Sequence, residues 1–179
     1  EKSAKLDYLT GLPNRRSCEQ DLDRCIRMAE ISGKQGALIY IDLDDFKSVN
    51  DNIGHRYGDA VLKSAAHHLR KIEEITDSIY RVGGDEFIAI VKEITETDLK
   101  RICDEIKKVF ELKNCSISIG AALYPGDGNK VSDIIDRADR ALFAAKKKGR
   151  NCLVSYGELN DNKSSEHDME NVMKSTVKD

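Results

Sequence analysis

An α+β fold, in which an antiparallel sheet of about five strands is flanked by helices, is what this sequence predicts. Three observations carry the prediction. Apolar runs of strand length, at 37–41, 78–82, 87–91 and 116–123, alternate with segments whose apolar residues recur at helical spacing. Two of the runs, Ser78–Val82 and Phe87–Val91, are separated only by Gly83-Gly84-Asp85-Glu86, which reads as a hairpin tip. The 179 residues are 40% hydrophobic and 34% charged, which leaves room for one domain that buries about 70% of its unfolded surface without disulfide or metal staples.

The elements can be justified in order. Pro13 and a capping Asn14 precede Cys18, Leu22, Cys25, Ile26 and Ala29 at helical spacing, and Gly33 closes this first helix. Ala37-Leu38-Ile39-Tyr40-Ile41, flanked by Gly36, reads as a buried strand. A helix is expected to start at Phe46, capped by Asp44 or Asp45, whereas Asn50-Asp51-Asn52 looks like a loop. Leu62, Ala65, Leu69 and Ile72 mark the next helix. In the hairpin, Gly83-Gly84 suits a two-residue turn whose backbone needs φ > 0, and the missing side chains let a bulky group approach the main chain.

Beyond the hairpin, Thr95 and Thr97 are capping-type residues ahead of Leu99, Ile102, Ile106, Val109 and Phe110. Ser116 to Leu123 alternates as a strand. Ser132 caps a helix through Ile134, Ile135, Ala138, Leu142 and Ala145, which Gly149 ends, and Cys152-Leu153-Val154 forms a short last strand. This β-α-β-β-α-β order, with extra helices, is the ferredoxin-like arrangement.

Charge and composition exclude several classes of function. A net charge of -3, 6% aromatic residues and no Trp argue against a nucleic-acid groove, which needs a basic patch and stacking platforms. The five cysteines, at 18, 25, 103, 115 and 152, show no C-x-x-C pairing, so neither a disulfide framework nor a zinc site is expected and most read as small core residues. His55, His67, His68 and His167 lack partners at ligand spacing and read as surface or packing residues. No apolar run is long enough to span a bilayer and no signal peptide opens the chain, so a cytoplasmic domain without membrane contact is expected, in a parent chain whose membrane anchor, if it has one, lies elsewhere.

Two acidic clusters carry the chemistry. Asp85 and Glu86 sit at the hairpin tip, and Asp42-Leu43-Asp44-Asp45 ends the first strand. Carboxylates at a strand's end facing others on a hairpin can hold Mg²⁺ together with substrate phosphates. Each piece also has an ordinary counterpart, since Asp44 and Asp45 could cap a helix and Asp42 could be a turn residue.

With their surroundings, these clusters resemble the GGDEF family of diguanylate cyclases. The resemblance runs in order through Asp7-Tyr8-Leu9-Thr10-Gly11-Leu12-Pro13-Asn14-Arg15-Arg16, Asp42 to Asp51 with Gly54, His55 and Gly58-Asp59, and Arg81 to Phe87. It continues through Ser116-Ile117-Ser118-Ile119-Gly120, Tyr124-Pro125, Ala138-Asp139, Ala141-Leu142 and Ala145-Lys146 to Gly149-Arg150-Asn151. It implies a nucleotidyl-cyclase-type sheet and the condensation of two GTP into cyclic di-GMP and pyrophosphate. Two Mg²⁺ ions per active site, replaceable by Mn²⁺, would be held by Asp42, Asp85 and the Leu43 carbonyl, with Glu86 beside them assisting proton removal. Asn50 and Asp59 would read guanine, the carboxylate accepting from its two adjacent N–H groups. Phosphates would lie against the backbone of Phe46 and Lys47, the bare Gly83 and Gly84, and the side chains of Lys146 and Arg150, which are expected one helical turn apart.

The resemblance also implies partners. One domain holds one GTP, so activity requires a second GGDEF domain across a two-fold axis, an active homodimer. Residues 1–156 would form the cyclase domain, and 157–179 a polar linker followed by the first helix of an EAL phosphodiesterase domain, with Met169, Val172, Met173 and Val177 at helical spacing; a sensor domain would precede the whole. One departure stands out: many members carry an inhibitory Arg-x-x-Asp before the hairpin, and here the stretch is Glu74-Ile75-Thr76-Asp77, which predicts no product inhibition there. Phe143 stands where a tyrosine is common and reads as a core substitution. Two alternatives share these motifs: a GTP-binding module without turnover that regulates a downstream EAL domain, and a nucleotidyl cyclase of different product.

Overall fold

The structure, a computed structural model, describes residues 4–161. Helix α1 (Arg15–Ser32) begins where the Asn14 side chain accepts from Ser17 N–H and ends at Gly33, whose φ of 70° admits the left-handed cap. Strand β1 (Gly36–Leu43) is buried along its whole length. Helices α2 (Phe46–Ile53) and α3 (His55–Leu69) follow, then a 3₁₀ turn at Glu73–Ile75, the hairpin β2 (Ile79–Arg81) and β3 (Glu86–Val91), and α4 (Glu96–Glu111), which opens on a Thr95/Asp98 capping box. Strand β4 (Ile117–Tyr124), α5 (Val131–Lys147) and β5 (Leu153–Ser155) complete the order.

The strands form one sheet in the order β2-β3-β1-β4-β5. The first three contacts in that order are antiparallel, as expected, but β5 lies parallel to β4, so the sheet is mixed. Alternation along the central strands divides the core into two faces. Ala37, Ile39 and Ile41 of β1 pack with Phe87 and Ala89 of β3 against α3 and α4, where Phe87 and Phe110 meet edge to face. Leu38 and Tyr40 pack with Ile88, Ile90 and Tyr124 against Cys18, Leu22 and Ile26 of α1 and Ile134, Ala138 and Leu142 of α5. Helix α5 lies so close to β4 that a Cβ at Gly120 would stand 2.2 Å from both the Ala138 carbonyl oxygen and the Leu142 nitrogen.

Several local expectations need correction. Asn50, Asp51 and Asn52 are helical, inside α2. Helix α5 starts at Val131 with Lys130 at its cap position, ahead of Ser132. Neither Gly83 nor Gly84 has positive φ, because the tip is wider than a two-residue turn: Val82 and Gly83 N–H both donate to the Glu86 carbonyl. Gly83 instead leaves room for the Glu86 side chain, whose Oε2 would stand 2.6 Å from a Cβ there. Phe143 is 60% exposed with Lys147 over its ring, so it is a surface residue of α5.

The cysteines stand as expected: Cys18, Cys103 and Cys115 are buried, Cys25 and Cys152 half-buried, and all five are free. His68 turns its ring to the Ser64 carbonyl at 2.8 Å, a packing role. Residues 156–161 are helical, and Leu159 packs against Ala141, Ala145 and Val154. Of the linker expected from 157, the part from 162 onward lies outside the described residues, as do the expected helix at 169–177 and His167. Among the described residues, no helix is long and apolar enough to cross a membrane.

The chain's opening turn is tied to the hairpin. Asp7 accepts from the Thr10 amide and hydroxyl at 2.7 Å each, and both its oxygens accept from Arg81 Nη1 at 3.1 Å. Arg81 also donates to the carbonyls of Gly83 and Gly84, at 3.2 and 2.8 Å, so one guanidinium fixes the tip. Burial alone would raise the Asp7 carboxyl, but the Thr10 hydrogen bonds and Arg81 outweigh it and hold it below its ordinary value of 3.8.

Two outcomes follow. Gly120→Ala forces backbone apart between β4 and α5 and is expected to cost about 3 kcal/mol, a fall in Tm on the order of 10 °C by calorimetry; an unchanged Tm would contradict this packing. Because the Asp7 carboxyl is depressed in the folded state, its stabilisation is present above pH 4 and disappears as pH falls through the folded value. Urea titrations should therefore show Asp7→Asn less stable than the parent at pH 7, with the difference shrinking as pH falls below the folded carboxyl's value.

Candidate active site

Two acids face each other at the end of the central strands. Register places Asp42 opposite Glu86 on one side and opposite Ser118 on the other, all three on the sheet face that α5 covers. Like charges directly opposite in a sheet repel, so the row is unfavourable as plain structure. Asp42 is 6% exposed and its Oδ2 accepts from Lys146 Nζ of α5, but its buried Oδ1 has no hydrogen-bond partner. Burial, followed by the nearby Asp85, pushes the Asp42 carboxyl up against the pull of Lys146. The same contact raises Lys146, although its burial acts in the opposite direction.

Asp85 is brought in by the main chain. Beyond the last register pair, Leu43 N–H donates to the Asp85 carbonyl at 3.1 Å, which sets the hairpin tip beside Leu43. Glu86 lies under the tip, its Oε2 accepting from the Tyr40 hydroxyl at 3.2 Å. Burial, together with the charge of Glu86, pushes the Tyr40 phenol up to about 12, so at neutral pH it is a donor. Asp42, Asp85 and the Leu43 carbonyl supply only oxygen; among the described residues no three His, Cys, Asp or Glu side chains converge into a metal-holding group. An all-oxygen set with one orphaned buried lone pair suits a hard divalent cation such as Mg²⁺.

The other acids of the cluster have different work. Asp44 accepts from the hydroxyls of Ser116 at 2.7 Å and Ser118 at 2.6 Å and from the Asn151 amide at 3.1 Å, so it staples β1 to β4 and to the loop after α5. It is not a helix cap. Asp45 occupies the α2 cap position at φ 52° without a side-chain cap bond, leaving the first amides of α2, including those of Phe46 and Lys47, without a side-chain partner. Uncapped N-terminal amides attract anions.

Farther along α2, Asn50 Oδ1 is also buried without a partner. Gly58 makes that approach possible, because a Cβ there would stand 1.9 Å from Asn50 Oδ1. Asp59 follows on the same turn of α3, exposed. Arg150 is not one helical turn from Lys146 on α5, as expected, because the helix ends at Lys147 and Arg150 adopts φ 64° in the loop beyond it. At the Arg-x-x-Asp position, Glu74 pairs with Arg101 of α4.

Tyr40, Asp44 with its two serines, and the Asp7–Arg81 clamp were not singled out from sequence. Period-2 alternation could have found Tyr40, two residues before Asp42 on a strand. The other two depend on partners 74 positions apart in the chain, Asp44 with Ser118 and Asp7 with Arg81, which no local signal marks.

Comparison with known proteins identifies the family and the fold. The family model described as "Diguanylate cyclase, GGDEF domain" matches residues 4–152. The chain is 36% identical over 153 residues to the bifunctional diguanylate cyclase/cyclic di-GMP phosphodiesterase MucR of Pseudomonas aeruginosa, covering 81% of this chain and 22% of that protein. It is 35% identical over 162 residues to the response regulator PleD of Caulobacter vibrioides, covering 84% and 36%. The chain thus spans about a third or less of the length of these relatives. Among solved structures, the GGDEF domain of TpbB (YfiN) from Pseudomonas aeruginosa superposes with a TM-score of 0.79 at 34% identity, over 90% of this chain and 99% of that one. With a family model spanning most of its length and a solved relative sharing its fold, this chain belongs to the GGDEF family of diguanylate cyclase domains.

Proposed function

We propose that this domain condenses two GTP molecules into cyclic di-GMP, and that the buried Asp42 carboxylate, orphaned at one oxygen and facing Asp85, is the observation that carries the reading. In each of two equivalent steps the 3′-oxygen of one GTP forms a bond to the α-phosphorus of the other. The bond from that phosphorus to pyrophosphate breaks, and the hydroxyl proton is lost. Asp42, Asp85 and the Leu43 carbonyl would hold the Mg²⁺ ions, which supply charge neutralisation at the attacking and leaving oxygens.

The remaining roles belong to the chain's own groups. Glu86 accepts or relays the 3′-hydroxyl proton. The α2 amides at Phe46 and Lys47 bind the phosphates, which the side-chain-free Gly83 and Gly84 allow to approach the hairpin. Lys146, held at the site by Asp42, and Arg150, beyond the end of α5, add positive charge. Asn50, with its buried orphan oxygen, and Asp59 read the guanine edge. Each domain holds one GTP, so turnover needs a second domain facing the first. The likeness to MucR supports a parent protein that continues into a phosphodiesterase domain.

The direct test is incubation of the concentrated chain with GTP and Mg²⁺ and identification of nucleotide products by mass. Cyclic di-GMP is expected from the parent and none from Asp85→Ala; GTP bound but unchanged, even with the domain fused to a dimerising coiled coil, would favour a regulatory GTP-binding role. Turnover per subunit should rise with protein concentration. Competition binding should show Asp59→Ala losing its preference for GTP over ATP by at least tenfold, and equal preference in parent and variant would remove Asp59 from guanine recognition. With Glu74 at the inhibitory position and already paired with Arg101, added product should leave the initial rate unchanged at micromolar concentration; inhibition abolished by Asp77→Ala would overturn this.

A further inference from the structure

Tyr40 is 4% exposed on the central strand, among Leu38, Ile88, Ile90 and Ala138. An apolar residue would fill that space, so the hydroxyl is the part that needs a reason. It donates to Glu86 Oε2 at 3.2 Å, an oxygen to which Gly83 gives room by lacking a Cβ, since one there would stand 2.6 Å away. Tyr40 and Glu86 also line an open cleft between α1 and α5, in which Arg15 and Lys130 stand among the acids Glu19, Asp23, Asp136 and Asp139. A Glu86 carboxylate released from the phenol has that open cleft to turn into, away from the like charge of Asp42 opposite it.

We infer that Tyr40 is a positioning residue: its hydroxyl holds Glu86 in the orientation that faces the end of the sheet beside Asp42, and keeps it from turning into the α1/α5 cleft. This rests on the proposed role of Glu86. A cyclase rate that depends on Glu86 therefore depends on a hydroxyl that touches no substrate.

The test is a double-mutant cycle on cyclic di-GMP formation, with parent, Tyr40→Phe, Glu86→Gln and the double variant compared at the same protein concentration. Tyr40→Phe keeps the ring and is expected to lower kcat about tenfold, the size of a lost hydrogen bond to a charged group, with KM for GTP within about twofold and Tm unchanged. In the Glu86→Gln background it should have no further effect. A parent-like kcat in Tyr40→Phe, or an equal loss in both backgrounds, would overturn the inference while leaving Glu86 in place. A parent-like kcat in Glu86→Gln would instead remove Glu86 from the reaction and the inference with it. A crystal structure of Tyr40→Phe gives a readout independent of turnover: Glu86 turned into the α1/α5 cleft supports the positioning role, and an unmoved Glu86 contradicts it.

Discussion

A carboxylate buried at the end of the central strand is the constraint from which the rest of the site follows. Asp42 has given up most of its water and gained one hydrogen bond, from Lys146, while Glu86 stands opposite it and Asp85 beside it. Removing a charge from water without full compensation is costly, and a strand pair seldom tolerates acids in register. A fold that keeps such an arrangement violates local rules where function demands it. One lysine only partly offsets three acids, and the oxygen left over is of the kind a hard cation takes.

The scaffold around that row leaves little room for it to relax. Asp44 spends both oxygens on Ser116, Ser118 and the Asn151 amide, which locks the end of β1 to β4 and to the loop carrying Arg150. The Arg81 guanidinium spans the carbonyls of both hairpin glycines and is itself held by Asp7 from the opening turn. Pre-positioned groups cost no reorganisation when charge develops, which is how such sites accelerate phosphoryl transfer. The N-terminal turn is thereby coupled mechanically to the hairpin, so the geometry of the hairpin acids depends on Asp7, far from them in sequence.

Most of the fold was legible because its signals are local. Asn14 and Gly33 bounding α1, the apolar runs of β1 and β3, and the spacing of Leu99 to Phe110 in α4 all read correctly from sequence. Failures occurred where tertiary contacts override local preference. Asn50-Asp51-Asn52 is helical because Phe46 and Asn50 pack against α3 through Gly58, and the hairpin glycines serve close approach at Gly83 and no unusual φ at either position. The parallel pairing of β5 depends on where α5 returns the chain, which strand composition does not encode. The two acidic clusters could be found from sequence, but which acid is structural could not, since the partners of Asp44 lie more than seventy residues away.

The most direct measurement is a crystal structure of the chain with Mn²⁺ and a non-hydrolysable GTP analogue, with the metal located by its anomalous signal. A peak bounded by Asp42, Asp85 and the Leu43 carbonyl is expected, with phosphates against the first amides of α2. Nucleotide bound elsewhere, or bound there with no anomalous peak at these oxygens, would contradict the claim that the buried acid row is a cation site for GTP.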